Sequence, residues 1–324
     1  MSFFWKWARG QWSTLPYPDQ DCTGWTVIIT GANSGLGLEA ARHFVRLNAT
    51  KVILACRSVE RGEAALREIE KSPEHHGAAE VWQLDLGSVE SVKEFAARAS
   101  KLDRLDVLLN NASILTRDWA VLEGHESMMT VNVISTLFLT VLLLPALRRT
   151  AIRFNVVPHV TTVSSDAAFM PFFPEKRAEH TLDALKVHKN FSERYNTTKL
   201  LQLMMMRKLA ESSDASGKGH VIVNALNPGL CKTQLFRHCE AFPLSWAIWL
   251  AFVVFGRDAE MGSRTLMSAA LAGEETHGKW MSDCELQVWP KVMEGADGAI
   301  LMDKIWRELA DALEALQPGV MENV

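Results

Sequence analysis

The sequence is short of tyrosine, with two in 324 residues, so phenol chemistry falls to Tyr17 or Tyr195. Cysteine is also scarce. Cys22, Cys56, Cys231, Cys239 and Cys284 form no C-x-x-C pair and are odd in number, which excludes a disulfide framework or a zinc ribbon and fits packed thiols in a reducing compartment. Neither sign of charge dominates. There are 34 basic and 38 acidic residues and no basic block, which argues against a nucleic-acid partner. No apolar run is long enough to span a bilayer: Leu244–Phe255 covers 12 residues, against the ~20 required. Met1–Trp12 is aromatic but broken by Lys6, Arg9 and Gly10, so it lacks the apolar core of a secretory signal, and a cytoplasmic protein is expected. The histidines are scattered. His75-His76 lies in a charged loop and His277 reads as structural, so no metal site is expected. Repeats and low-complexity linkers are absent too.

What is present is a chain that is 48% hydrophobic and 22% charged, enough for a sizeable core. Short, mostly apolar runs alternate with longer periodic ones. Strands are predicted at Trp25–Thr30, Lys51–Ala55, Val81–Leu84, Leu105–Leu109, His159–Val163 and His220–Ala225. Helices are predicted at Leu36–Leu47, Glu60–Lys71, Val89–Ser100, Val131–Leu147, Asn196–Glu211, Asp258–Ala272 and Asp297–Leu316, with Asp214–Gly219 as a surface turn. This alternation implies βαβ crossovers and a doubly wound, Rossmann-type parallel sheet covered on both faces. The expected organisation is an N-terminal arm (1–22) and one catalytic domain (23–324), with insertions near 169–194 and 235–257.

The first strand runs into Thr30-Gly31-Ala32-Asn33-Ser34-Gly35-Leu36-Gly37 and then a helix. Glycines allow a sharp turn and close backbone approach, and the helix start points free N–H groups at an anion. A strand, glycine-rich turn and helix in this order are the parts of a dinucleotide cradle. Folds that bind NAD commonly carry a carboxylate about 20 residues further on, for the ribose hydroxyls. Here the second strand ends in Ala55-Cys56-Arg57-Ser58. A guanidinium suits a 2′-phosphate where a carboxylate would repel it, so Arg57 favours NADP(H) over NAD(H).

Tyr195 and Lys199 are four apart on a predicted helix and share a face. A neighbouring ammonium favours phenolate and is expected to draw the phenol down from its usual value of about 10. Such a phenol exchanges a proton with a carbonyl or alcohol oxygen. The fifth strand ends in Thr162-Val163-Ser164-Ser165, which places a hydroxyl at the carboxyl edge of the sheet, where ligands bind in doubly wound folds.

These segments, in this order, resemble the short-chain dehydrogenase/reductase family from about Thr23 to Leu316. The resemblance makes Gly31, Asn33, Ser34, Gly35, Leu36 and Gly37 the cofactor turn, and Asp85 in Leu84-Asp85-Leu86 the acid at the adenine. It likens Asn110-Asn111-Ala112 to the segment closing the fourth strand. Pro228 and Gly229, followed by Thr233, correspond to the stretch against the nicotinamide. Asn132, Ser165, Tyr195 and Lys199 match the catalytic residues, with Lys199 also holding the ribose and a water near Asn132 passing replacement protons. Ala55-Cys56-Arg57 is similar to the retinol-dehydrogenase-like branch. Leu15-Pro16-Tyr17-Pro18 and the stretch around Trp306 resemble fungal members of natural-product pathways. Ser113 and Ser135 stand where the family has glycine.

The implied function is NADP(H)-dependent hydride transfer to or from a ketone or secondary alcohol. Aromatics in the insertions (Phe169, Phe172, Phe173, Phe236, Phe242, Trp246, Trp249, Phe252) suggest a lipophilic substrate of polyketide or terpenoid type. Competing expectations are NAD-dependent alcohol oxidation, a redox-neutral isomerase or cyclase, and a non-catalytic cofactor sensor. Leu244–Phe255 could instead lie on a membrane surface, helped by Trp5, Trp7 and Trp12, although packing of the arm on its own domain is preferred. The apolar helices Val131–Leu147 and Asn196–Glu211 fit either a homodimer face or packing within one subunit.

Overall fold

A computed structural model describes residues 3–71, 78–233, 235 and 252–324. The chain opens with α1 (Phe3–Trp12), then alternates β1 (Thr26–Thr30), α2 (Gly35–Arg46), β2 (Lys51–Cys56), α3 (Val59–Glu70), β3 (Ala78–Gln83), α4 (Val89–Ala99) and β4 (Val107–Asn110). A small hairpin, β5 (Val121–Leu122) and β6 (His125–Glu126), leads into one long helical stretch: α5 (Ser127–Met129), a π-helical turn (Thr130–Ile134) and α6 (Ser135–Phe154). After β7 (His159–Val163) come the short α7 (Thr181–Ala184), α8 (Arg194–Ser216), β8 (Ile222–Asn227) and α9 (Ala259–Ala270). The hairpin of β9 (Trp280–Ser282) and β10 (Glu285–Gln287) precedes α10 (Gly295–Leu316).

The main sheet runs β10-β9-β8-β7-β4-β1-β2-β3 and is parallel except for β10. The doubly wound fold is therefore as expected. Both faces are covered, which is why β1, β4, β7 and β8 are buried along their whole length. Alternate residues serve opposite layers. Ile28, Leu108 and Val223 face a core made with α4, α6, α8 and α10, while Val27, Ile29, Val107 and Leu109 face α2, α3 and α9. Strand order reverses between β1 and β4, the position where ligands enter such sheets.

Several boundaries differ from the sequence reading. Helix α1 and the β9–β10 hairpin were not anticipated. Helix α8 extends to Ser216, so Asp214 to Ser216 are helical and the turn begins at Gly217 (φ +65°). The helical stretch around α6 reaches back to Ser127, where the Glu126 carboxylate accepts the Met128 and Met129 N–H groups at 2.8 and 3.2 Å and caps the end. Among the described residues, Ser127–Phe154 is long and apolar enough to cross a membrane, but 89% of its apolar window is buried, which marks a core helix. Apolar residues of both α6 and α8 pack within the subunit. Leu143, Leu147, Leu203 and Leu209 share one core with Ile305, Leu309, Leu313 and Val324.

The arm packs on its own domain. Trp12 stacks on Phe255 at 5.3 Å and donates its indole N–H to the Val254 carbonyl at 2.9 Å, and Gln11 accepts the Leu230 N–H at 3.2 Å. The first insertion packs against α10, where Glu308 accepts the N–H groups of Thr181 and Leu182 at 3.0 and 2.7 Å. Its aromatic cluster divides: Phe173 is buried, Phe169 packs on Trp280, and Met170 and Phe172 are exposed. From the second insertion, Phe236, Phe242, Trp246 and Trp249 lie outside the described residues, as do Cys239, His75 and His76.

Candidate active site

A cleft of about 700 Å³ opens at the carboxyl ends of the parallel strands. At its floor, β1 turns at Gly31, whose φ of +68° is costly for any side chain-bearing residue. Thr30 and Asn111 lock this turn to the end of β4. The Thr30 hydroxyl accepts the N–H groups of Asn111 and Ala112 at 3.0 and 2.9 Å, and the Asn111 amide donates to the Thr30 carbonyl at 2.8 Å. Ser34 precedes α2 without capping it through its side chain, so the first N–H groups of α2 keep their hydrogen-bonding capacity. This is the arrangement that an anionic ligand completes.

Gly31, Asn33, Ser34, Gly35 and Leu36 line the cleft, and so do Arg57, Asp85, Leu86, Asn111 and Ala112. Ser165, Tyr195, Lys199, Pro228, Gly229 and Thr233 line it too, with the Thr233 side chain beside Gly35. Two of the anticipated residues sit behind the wall instead. Gly37 is buried, and a Cβ there would meet the Asn111 amide nitrogen at 2.5 Å and the Gly31 carbonyl at 2.8 Å, so its role is close packing. Asn132 is fully buried in the π-helical turn. Its side chain accepts the Ile114 N–H at 2.8 Å, donates to the Ile114 carbonyl at 3.0 Å and donates to Thr198 at 3.2 Å. Asn132 thus straps down the loop that forms one cleft wall.

The lining of the cleft is mixed in chemistry. Beyond β2, Arg57 and Arg61 are exposed on the rim, and Ser58 caps α3 by accepting the Arg61 N–H at 3.3 Å. Arg61 was missed from the sequence; it lies in the first turn of α3, which starts just after Arg57, and lines the same cleft. Ile114, Leu115, Val131 and Leu235 give the cleft an apolar stretch of wall. Ser113 also lines the cleft, with its hydroxyl buried and unpartnered. None of the aromatics Phe169, Phe172 and Phe173 reaches this wall.

Tyr195 and Ser165 are hydrogen-bonded through their side chains. Burial pushes the Tyr195 phenol well above its ordinary value, opposed only by the Ser165 bond. The expectation that Lys199 draws the phenol downward is not met in this arrangement, and the reason is physical. Lys199 is itself buried, which brings its ammonium down to about 7. Its Nζ lies 5.6 Å from the Tyr195 ring centre and donates to the Val163 carbonyl at 3.1 Å and to Gln202 Oε1 at 3.0 Å. The water expected near Asn132 also has a competitor. The Gln202 amide donates to the Asn132 carbonyl at 2.7 Å. Gln202 was not singled out from the sequence, although it follows Lys199 by three on the same helix.

The residues therefore fit a nicotinamide dinucleotide. An uncapped helix start and a glycine turn suit the pyrophosphate, the guanidinium rim suits a further phosphate, and a hydroxyl–phenol–ammonium group with its ammonium buried lines the same cleft. Of the described thiols, Cys231 lines the cleft. Cys22, Cys56 and Cys231 are buried and free, and burial pushes them up to about 12, 11 and 12. Among the described residues, one cluster has metal-ligand spacing: Asp214, His220 and His277, remote from the cleft. There the Val223 N–H donates to His277 Nδ1 at 3.2 Å. A neutral ring then carries its proton on Nε2, which lies 3.1 Å from an Asp214 carboxylate oxygen and so has no lone pair to offer a metal.

A family model described as short chain dehydrogenase matches residues 25–175. The chain is 40% identical over 318 residues to the short chain dehydrogenase/reductase dmxR8 of Cryptosporiopsis sp., covering 96% of this chain and 97% of that one. It is 44% identical over 289 residues to the short chain dehydrogenase atnD of Emericella nidulans, covering 87% and 91%. Two solved structures share the fold. One is Pseudomonas aeruginosa RhlG in an NADP active-site complex, with TM-score 0.60, 24% identity and coverage of 82% and 97%. The other is a short-chain dehydrogenase from Sphingobium yanoikuyae in complex with NADPH, with TM-score 0.58, 21% identity and coverage of 93% and 96%. The chain belongs to the short-chain dehydrogenase/reductase family of oxidoreductases.

Proposed function

We propose that the chain is an NADP(H)-dependent oxidoreductase acting on a ketone or secondary alcohol of a lipophilic substrate. The observation that carries this reading is one cleft lined both by Ser165, Tyr195 and Lys199 and by Arg57 and Arg61. Gly31, Asn33, Ser34, Gly35 and Leu36, with the start of α2, would hold the pyrophosphate. Asp85 and Leu86 would flank the adenine, and Asn111, Ala112, Pro228, Gly229 and Thr233 would lie along the nicotinamide half. The guanidiniums favour a 2′-phosphate. When bound, the dinucleotide supplies or takes the hydride.

Every other step belongs to side chains. Ser165 donates a hydrogen bond to the substrate oxygen and orients it. Tyr195, kept protonated by its burial, gives that oxygen a proton in reduction and takes one back in oxidation. Lys199 places a positive charge beside the phenol and the ribose. Ile114, Leu115, Val131 and Leu235 exclude water and favour an apolar substrate body, such as a polyketide- or terpenoid-type ketone.

The test is NADPH absorbance with a panel of lipophilic ketones, for the wild type and Tyr195→Phe. The variant is expected to bind NADPH as the wild type does and to lose turnover by about 10²–10⁴-fold. Full turnover in Tyr195→Phe would remove the phenol from its role. Product formed without any change in absorbance would favour a redox-neutral catalyst.

A further inference from the structure

Lys199 has three N–H donors, and the structure accounts for two of them. One goes to the Val163 carbonyl at 3.1 Å and one to Gln202 Oε1 at 3.0 Å, which leaves the third for the cleft. The Gln202 amide cannot be turned the other way. Its nitrogen donates to the Asn132 main-chain carbonyl at 2.7 Å. Reversal would set a carbonyl against a carbonyl and an NH₂ against an ammonium, so chemistry fixes which end meets Lys199. All three residues are at most 2% exposed, so bulk water does not compete for these bonds.

We propose that Gln202 is a positioning residue for the reaction: its amide bridges the Lys199 ammonium to the Asn132 carbonyl, fixing the charge in place with a side chain where a mobile water would otherwise join the two. This rests on the function proposed above. It has two consequences. The amide oxygen keeps Lys199 charged against the burial that drives it toward neutrality. An amide also neither gives nor takes protons near neutral pH, so the Lys199–Asn132 link holds geometry rather than relaying protons, and proton resupply comes through the cleft. From α8 the titratable group facing Lys199 is Tyr195. From β7 and the π-helical turn its neighbours are the uncharged Val163 and Asn132 groups.

The test is an NMR titration of the cofactor-free protein carrying isotope-labelled lysine Cε, with the Lys199 resonance assigned through Lys199→Met. Gln202→Met keeps the bulk and removes the acceptor, and is expected to lower the Lys199 midpoint by about one pH unit or more. Gln202→Glu keeps an acceptor and adds charge, and is expected to raise it by about as much. In ketone reduction, the pH at which kcat/KM falls on the alkaline side should move with the same signs. Midpoints that stay put, or that move in the same direction in both variants, would overturn the proposal, because a purely structural glutamine gives no opposed shifts. Should Gln202→Met fail to fold, Gln202→Glu decides alone, and an unraised midpoint rejects the bridge. The titration needs neither substrate nor NADPH. A wild type that oxidises no NADPH would therefore sink the proposed function and leave the Gln202 result readable.

Discussion

Replacing Gly37 by alanine sets two opposed effects against each other, and the structure decides between them. Gly37 lies in the first turn of α2, where alanine is the better helix former by at most about 1 kcal/mol. Against that gain stands the space. The new Cβ would lie 2.5 Å from the Asn111 amide nitrogen, 2.8 Å from the Gly31 carbonyl and 3.1 Å from the Ala32 Cα. Two of these are backbone atoms of the cradle and cannot swing aside. The third can move only by giving up its 2.8 Å bond to the Thr30 carbonyl. Forcing a methyl into packed surroundings costs about 1–3 kcal/mol, and the lost hydrogen bond adds about 0.5–1.5 kcal/mol. The balance is a net loss of about 1–3 kcal/mol, or a melting temperature about 1.5–4.5 °C lower in a chain of this size. Because the atoms that must move are the ones facing the pyrophosphate, NADPH affinity should fall tenfold or more in the same variant. Thermal melting with and without NADPH, together with a fluorescence titration, measures both. A melting temperature at or above that of the wild type, with unchanged affinity, would refute the reasoning.

Arg57→Ala should weaken NADPH by roughly tenfold to a hundredfold, the loss of a charge-assisted contact, and leave NADH within about threefold; equal losses for both cofactors in parallel titrations would remove the 2′-phosphate assignment. Asp166, beside Ser165, is raised by burial to about 6, helped by Asp283 and opposed by its Asn227 and Trp7 bonds and by Arg257. The folded chain thus holds this proton more tightly than the unfolded chain, so stability falls as pH rises from about 4 through 6. Asp166→Asn should gain on the wild type across that window, by at most about 2–3 kcal/mol. Melting curves that stay parallel from pH 4 to 8 would show that the carboxyl does not titrate there.

The parallel core was legible because burial on both faces leaves an unmistakable trace. Runs such as Val27–Ile29 and Val52–Ala55 are apolar throughout, and the helices between them are too long for anything but crossovers. What failed to register had no such trace. Strands β9 and β10 are three residues each and turn through Asp283 and Cys284 at φ of +53° and +63°, without the glycine or asparagine that would have announced a hairpin. Helix α1 has ten residues and an interior glycine, and it is held by contacts with Leu230, Val254 and Phe255, more than two hundred positions away. Its helicity is a tertiary fact, which no local pattern contains.

The site divides along the same line. Residues whose roles follow from chain-local chemistry were found: a glycine turn entering a helix, an arginine at a strand end, a phenol and an amine one helical turn apart. Residues whose roles depend on what the fold sets opposite them were misjudged. The phenylalanines after Ser165 seemed suited to a substrate wall because they are large and apolar, yet Phe169 and Phe173 meet the core, and the cleft wall is made by Ile114, Leu115 and Leu235 from other segments. What Asn132 holds was not legible from its position: both ends of its side-chain amide bind the Ile114 backbone, and its main-chain carbonyl accepts from Gln202. Spacing and the family resemblance put Lys199 on the same face as Tyr195, as the structure has it. Spacing fixes which face of α8 an amine occupies, but the Val163 carbonyl and the Gln202 amide determine where its protons point. Identity and spacing thus suffice to name the reacting groups, while their protonation is set by acceptors contributed from other elements, and the pH dependence of this enzyme should follow those acceptors more closely than the Tyr195–Lys199 motif.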